Sequence, residues 1–135
     1  MKVRPADPCP CGSGRAHRSC CQPLLKGRPA PTPERLMRSR YTAYALGQVA
    51  HILRTTHPDS PHRASDTAAW REELRAYCAA TSFVRLEVLA AQAPSHDEGF
   101  VHFRAHWERG GQSGVQEERS RFLRHRGKWA YLTGV

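Results

Sequence analysis

The feature that most constrains this 135-residue chain is a cluster of four cysteines near its start, spaced C-x-C-x8-C-C: Cys9 and Cys11, then Cys20 and Cys21. The segment that carries them, residues 1 to 33, also holds seven of the ten prolines and offers little bulky apolar material beyond Leu24 and Leu25. Such a segment cannot bury enough surface to offset its ordering entropy, so something other than a hydrophobic core must order it. Two close thiol pairs joined by a turn can supply the tetrahedron of soft ligands that zinc prefers. Gly12-Ser13-Gly14 supplies the turn, with glycines free to take positive φ and to bring backbone N–H groups near the thiolates. Arg15, His17 and Arg18 are placed to offset the excess negative charge. The expectation is one structural zinc ion on Cys9, Cys11, Cys20 and Cys21, with no open position for water and so no hydrolytic role.

Compartment supports metal over the competing readings. The N-terminus MKVRPADPCP has no apolar stretch and no small-residue cleavage site, so it does not read as a secretory leader, and the cytoplasm is the expected location. Thiols stay reduced there, which disfavours two disulfides. A redox C-x-C pair leaves the second cysteine pair unexplained, and four unpaired thiols leave the segment unordered. An iron–sulfur cluster also takes four cysteines, but the spacing follows none of the ferredoxin runs.

The zinc-binding unit is expected over residues 1–26, GRPAPTP at 27–33 reads as a proline-stiffened linker, and residues 34–135 as the main domain. Thr32 is a candidate N-cap with Pro33 at the first helical position, and Met37, Tyr41, Tyr44 and Ala45 recur on one helix face. Gly47 weakens that helix, while Ile52 and Leu53 suggest a further turn before His57-Pro58 ends the region. A second helix is expected over 66–78, capped by Ser65 or Asp66, with Trp70, Leu74, Tyr77 and Cys78 on its apolar stripe. Cys78 on that stripe reads as packing, not as a nucleophile.

From Phe83 the period becomes two: Val84, Leu86 and Val88, then Val101, Phe103, Ala105 and Trp107. Two more strands are expected over 113–125 and 128–133, divided by Gly110-Gly111 and Arg126-Gly127 as in antiparallel hairpins. Helices first and consecutive strands after imply an α+β domain, helices packed on one face of a curved antiparallel sheet, with a small N-terminal zinc knuckle. No apolar run approaches the roughly 20 residues of a bilayer span, so no membrane partner is expected.

Residues 9–21, CPCGSGRAHRSCC, resemble the SEC-C motif, the zinc-binding module at the end of the translocase motor SecA. RSRYTAYALG at 38–47, THP at 56–58, ERSRFLR at 118–124 and GKWAYLTG at 127–134 resemble the bacterial YchJ family, uncharacterised proteins whose main domain is similar to nuclear transport factor 2 (NTF2) and the SnoaL cyclases. That resemblance implies a cone-shaped α+β fold with a concave face that can serve as a pocket. Longer members of the family carry a second SEC-C motif, whereas no cysteine follows Cys78 here, so a single zinc is expected. The position before ERSRF is often His in the family and is Glu117 in this chain.

Alternation places Glu118, Ser120 and Phe122 on one strand face, so Glu118 and Ser120 are candidate pocket residues, beside Tyr41 or Trp107. The competing reading pairs Glu118 with an arginine for structural reasons. His102 and His106 share a strand face but stand about 13 Å apart and cannot share a metal. The charge of +9 would attract polyanions, and Arg119, Arg121, Arg124, Arg126 and Lys128 concentrate near the last hairpin, yet no aromatic-interleaved RNA-binding signature accompanies them. The leading expectation is a non-enzymatic, zinc-containing binding protein. Its basic knuckle would meet a protein partner or the ribosome, and the chain could form a homodimer through its sheet. The alternatives are a small ligand or an enzymatic pocket in the main domain, with Glu118 as acid–base group, or a ribosome- or nucleic-acid-associated factor.

Overall fold

The computed structural model describes residues 2–135. After a 3-10 turn at His17–Ser19, the chain forms α1 (Cys21–Leu25), α2 (Pro33–Leu46), α3 (Val49–Arg54) and α4 (Thr67–Ala80). Four strands follow, β1 (Ser82–Gln92), β2 (Glu98–Arg109), β3 (Gln112–His125) and β4 (Lys128–Gly134). They form one antiparallel meander in the order β1-β2-β3-β4. Register shifts between Phe83 and Arg85, between Val88 and Ala90, and between Arg121 and Phe122 bend the sheet, since each bulge adds local twist.

Local chemistry accounts for the helix ends. The Thr32 hydroxyl accepts from the Arg35 amide at 3.1 Å, and Pro33 opens α2 where its missing N–H costs nothing. Gly47, at φ 71°, stops α2 in a Schellman arrangement, with Gln48 N–H on Ala43 O at 2.8 Å and Gly47 N–H on Tyr44 O at 3.3 Å. The helix expected to run on through Ile52 is therefore two helices, α2 and α3. Asp66 caps α4 through Ala69 N–H at 3.1 Å.

Both faces of α2 are used. Leu36, Met37 and Tyr41 join Val101, Phe103, Ala105, Phe122 and Trp129 of the sheet in the main core, and Cys9, Cys11, Cys20 and Cys21 belong to the same cluster. The N-terminal segment, expected as an arm without a core, is thus sealed into the core of the main domain, with Cys11, Cys20 and Cys21 at most 2% exposed. In the stretch read as a linker, Ala30 packs on that core and Pro33 is already helical.

The stripe of α4 is less covered than its periodicity suggests. Trp70 is buried, but Leu74 and Cys78 are half-buried and Tyr77 is 36% exposed. Trp70, Leu74 and Tyr77 face a cavity between α4 and the sheet, so they lack packed neighbours on one side. Cys78 contributes to a small second cluster with Leu25, Ala43 and Ile52.

Candidate metal centre and ligand cavity

The thiols of Cys9, Cys11, Cys20 and Cys21 all lie within 4.8 Å of one another, and all four residues are buried. Cys11 Sγ is 3.6 Å from Cys20 Sγ, which in turn is 4.0 Å from Cys21 Sγ. Ligands at 2.3 Å around a tetrahedral zinc would stand about 3.8 Å apart, whereas a disulfide needs about 2.05 Å. All four thiols are free. The turn that gathers them is the one read in the sequence: Gly12 and Gly14 take φ of 76° and 85°, Cys9 N–H donates to Arg15 O at 2.9 Å, and Gly12 N–H donates to Cys9 O at 3.1 Å.

The protonation chemistry of this set fits a bound cation. Donation from the Cys21 and Cys9 thiols holds Cys11 far below the usual thiol range, while the Cys11 thiolate pushes Cys21 and Cys9 up. Four thiolates this close repel one another, and a soft divalent ion is the group that lets all four ionise together.

Polar partners of the sulfurs come partly from the motif and partly from outside it. Ser13 Oγ lies 3.1 Å from Cys20 Sγ, and His17 Nδ1 lies 3.5 Å from Cys9 Sγ. Burial lowers the His17 pKa against the pull of the Cys11 thiolate. Arg15 and Arg18, expected to balance charge, are exposed and make no side-chain hydrogen bond or ion pair among the described residues. The cation beside the cluster is Arg38 of α2, whose Nη1 donates to Cys11 O at 2.9 Å while its Nε pairs with Glu34 at 3.0 Å. Thr42 Oγ1 donates to Cys21 Sγ at 3.4 Å and lies 3.9 Å from Cys9 Sγ. Neither residue carries a motif signal. Both lie in the RSRYTAY block, which reads as an ordinary helix until the knuckle is docked on it.

The second feature is a cavity of about 320 Å³ between α2, α4 and the concave face of the sheet. Tyr41, Glu118 and Ser120 are among the residues that line it. Trp107 does not: its ring lies across Gly114, where no Cβ stands in the way, and under the Arg109 guanidinium at 5.1 Å. Glu118 Oε2 accepts from Ser120 Oγ and, at 3.1 Å, from the Tyr131 hydroxyl. It therefore has hydroxyl partners, and no arginine or lysine stands within ion-pair distance among the described residues.

Arg40 and Tyr131 complete the polar part of the wall and were not singled out by sequence. Arg40 Nη1 donates to Ile52 O at 3.1 Å, Thr55 Oγ1 at 2.8 Å and Thr56 Oγ1 at 3.2 Å, and the guanidinium lies 4.6 Å from the centroid of the Tyr131 ring. Tyr131 is held by backbone bonds to the loop after α3: its N–H donates to Thr55 O, and its O accepts from His57 N–H, both at 2.8 Å. The THP and GKWAYLTG blocks thus meet at this one bridge. Burial raises the Tyr131 and Tyr44 hydroxyls and pushes Tyr41 up to about 12, so all three stay neutral donors at physiological pH.

The remaining sequence candidates sit on the outer sheet face. His102 and Arg104 both bond Glu117, at 2.8 and 2.7 Å, and His106 bonds Glu87 at 2.6 Å, so the two histidines serve separate carboxylates. Glu117 does not line the cavity. Most of the basic hairpin is tied up within the fold: Arg119 lies over Phe100, Arg121 pairs with Glu98, and Arg124 stacks on Trp129.

Comparison with known proteins agrees with both parts. Residues 32–134 match the family model described as YchJ, middle NTF2-like domain, and residues 6–23 match the SEC-C motif. A UPF0225 protein of Vibrio parahaemolyticus is 40% identical over 132 residues, which span 96% of this chain and 75% of that protein. The solution structure of a SEC-C motif containing protein from Rhodopseudomonas palustris superposes with a TM-score of 0.83 at 37% identity, covering 96% of this chain and 98% of that one. A crystal structure of another such protein, from Psychrobacter arcticus, gives 0.79 at 24% identity over 95% of this chain and 81% of that one. No helix among the described residues is long and apolar enough to cross a membrane. By its NTF2-like main domain, its SEC-C motif and its curated relative, this chain belongs to the YchJ family.

Proposed function

We propose that this protein binds a small molecule in the concave cavity and carries one structural zinc on Cys9, Cys11, Cys20 and Cys21. The cavity carries the reading. Its volume of about 320 Å³ falls in the range of small-ligand sites, and its walls combine aromatic and aliphatic side chains with polar groups from Arg40, Thr56, His62, Gln116, Glu118 and Ser120. A packed core of this size would not leave such a space beside a buried guanidinium. Zinc, when bound, supplies folding energy and a fixed backbone for α2 to pack on, and the sulfur set leaves no position for a reacting water. Binding is preferred to catalysis because Glu118 is the only carboxylate lining the cavity among the described residues.

Two measurements test this. Atomic spectroscopy on protein purified without added zinc, with thiol titration before and after chelation, should give one zinc and four thiols released together. No metal, or two disulfides under reducing conditions, overturns the zinc assignment. The neutral dye N-phenylnaphthylamine should bind once per chain and lose its site in Ala105→Phe, which fills the cavity from β2. Dye binding that survives this substitution, or no binding at all, overturns the cavity reading.

A second reading is supported by the knuckle rim, where Arg18, Lys26 and Arg28 surround a shallow hollow. It makes the rim a contact for an acidic protein or for ribosomal RNA, and salt-sensitive co-sedimentation with ribosomes that Lys26→Glu abolishes would be its signature.

A further inference from the structure

Arg40 is 8% exposed as a residue, yet no carboxylate lies within 4.0 Å of its guanidinium among the described residues. Its three hydrogen bonds all leave from Nη1, and all end on neutral oxygens. Nε and Nη2 make none. Neither is sealed, because the one buried side-chain nitrogen or oxygen without a partner is Trp129 Nε1, and the side chain of Arg40 lines the cavity. The edge of the guanidinium that suits a carboxylate side-on, Nε with Nη2, thus carries no hydrogen-bond partner among the described residues, on a side chain that lines the cavity. Glu118 shares the cavity and acts on Arg40 only at a distance, so the buried guanidinium lacks a direct ion pair, and an anionic ligand in contact with it would offset that cost as it bound.

The other walls narrow the class. Trp70, Phe83, Phe103 and Phe122 present rings to an apolar body. Glu118 is fixed by Ser120 and Tyr131 elsewhere on the wall, so a second negative group on the ligand would meet a carboxylate. Resting on the cavity reading above, we propose that the ligand is a small organic monoanion, an aromatic or branched carboxylic acid, bound by Arg40 through its carboxylate.

The test uses the full, metal-loaded chain and three probes: hydrocinnamate, its uncharged isostere hydrocinnamamide, and the dianion phenylsuccinate. Calorimetry should show hydrocinnamate binding at least about tenfold tighter than either of the others, as a charge-assisted pair requires. In amide and arginine Nε–H NMR spectra, the Arg40 Nε–H signal should shift with hydrocinnamate and stay in place with hydrocinnamamide. That readout needs no variant; in Arg40→Gln, if it folds, the preference for the acid should disappear. Equal binding of acid and amide overturns the anion claim and leaves the cavity reading standing. So does failure of both probes when the neutral dye binds, or shifts confined to the basic hairpin. If the dye fails as well, both readings fall.

Discussion

Thr42 Oγ1 donates to Cys21 Sγ at 3.4 Å, a hydrogen bond that joins the middle of α2 to the last cysteine of the knuckle. Both groups are buried, Thr42 with no exposure and Cys21 with 1%. The bond lies inside the core that Leu36, Met37 and Tyr41 form with the sheet. The knuckle and the main domain are therefore coupled through one shared interior, and what disturbs the sulfurs disturbs α2.

Removing the metal should consequently unfold more than the knuckle. Chelation in the presence of a reductant is expected to lower the melting temperature of the whole chain in a single transition, with loss of the near-ultraviolet signal from Tyr41 and Trp129. Structural zinc contributes on the order of 10 kcal/mol in small modules, so the effect should be large. Differential scanning calorimetry with circular dichroism would decide it, and a main domain melting unchanged after chelation would show that the coupling is absent.

Thr42→Val keeps the shape and deletes the donor. The expected cost is about 1–2 kcal/mol of stability, with roughly tenfold weaker zinc retention, since a lost partner of a metal ligand has effects of that order. Competition with a chromophoric chelator measures the second quantity, and denaturant melts measure the first.

Gly99, the second residue of β2, lies against the start of α2. A Cβ there would overlap the ring of Pro33, and a proline ring cannot swing aside. Gly99→Ala should cost about 1–3 kcal/mol as an overpacking change, read as a lower urea midpoint at constant m-value.

Acid should destabilise the protein through His51. This residue is 3% exposed, its Nδ1 accepts from Arg54 at 3.0 Å, and its Nε2 lies 2.8 Å from Ser39 Oγ, whose hydroxyl donates to Leu36 O. Burial first, and then Arg54 and Arg40, push its pKa down to about 3 from 6.5. The unfolded chain takes up the proton first, so this stability is fully present above pH 6.5 and falls away toward pH 3, by at most about 1.4 kcal/mol per pH unit. Stability against pH for the native chain and for His51→Gln, both metal-loaded, should differ in slope across that window; parallel curves would show that His51 is not responsible.

Much of the fold is legible because its local signals are strong. Thr32-Pro33 and Asp66 mark helix starts, Gly110-Gly111 and Arg126-Gly127 sit at the hairpin turns with positive φ, and the alternation of β2 and β3 sorts Phe103, Ser120 and Phe122 to the inner face. Less legible is the burial of Ser39, Arg40 and Thr42 on α2, which break its apolar stripe. Polar side chains enter a core only when every partner is in place, and those partners come from α3, the knuckle and β4, far away in sequence. Trp107 was misplaced for a related reason: alternation gives the face of a strand and not how far along it a cavity reaches.

The sequence by itself determined the clustering and spacing of the four cysteines, the order of helices and strands, and the inward turn of Glu118, because each follows from contacts or periodicities within a few residues. Only the tertiary structure decided that the knuckle is part of the core, that Thr42 meets its sulfurs and Arg38 its backbone, and that Arg40 lines a cavity without a direct ion pair. Those outcomes depend on which surfaces meet when the chain closes on itself, and charge, burial and hydrogen-bond satisfaction are properties of that closed arrangement.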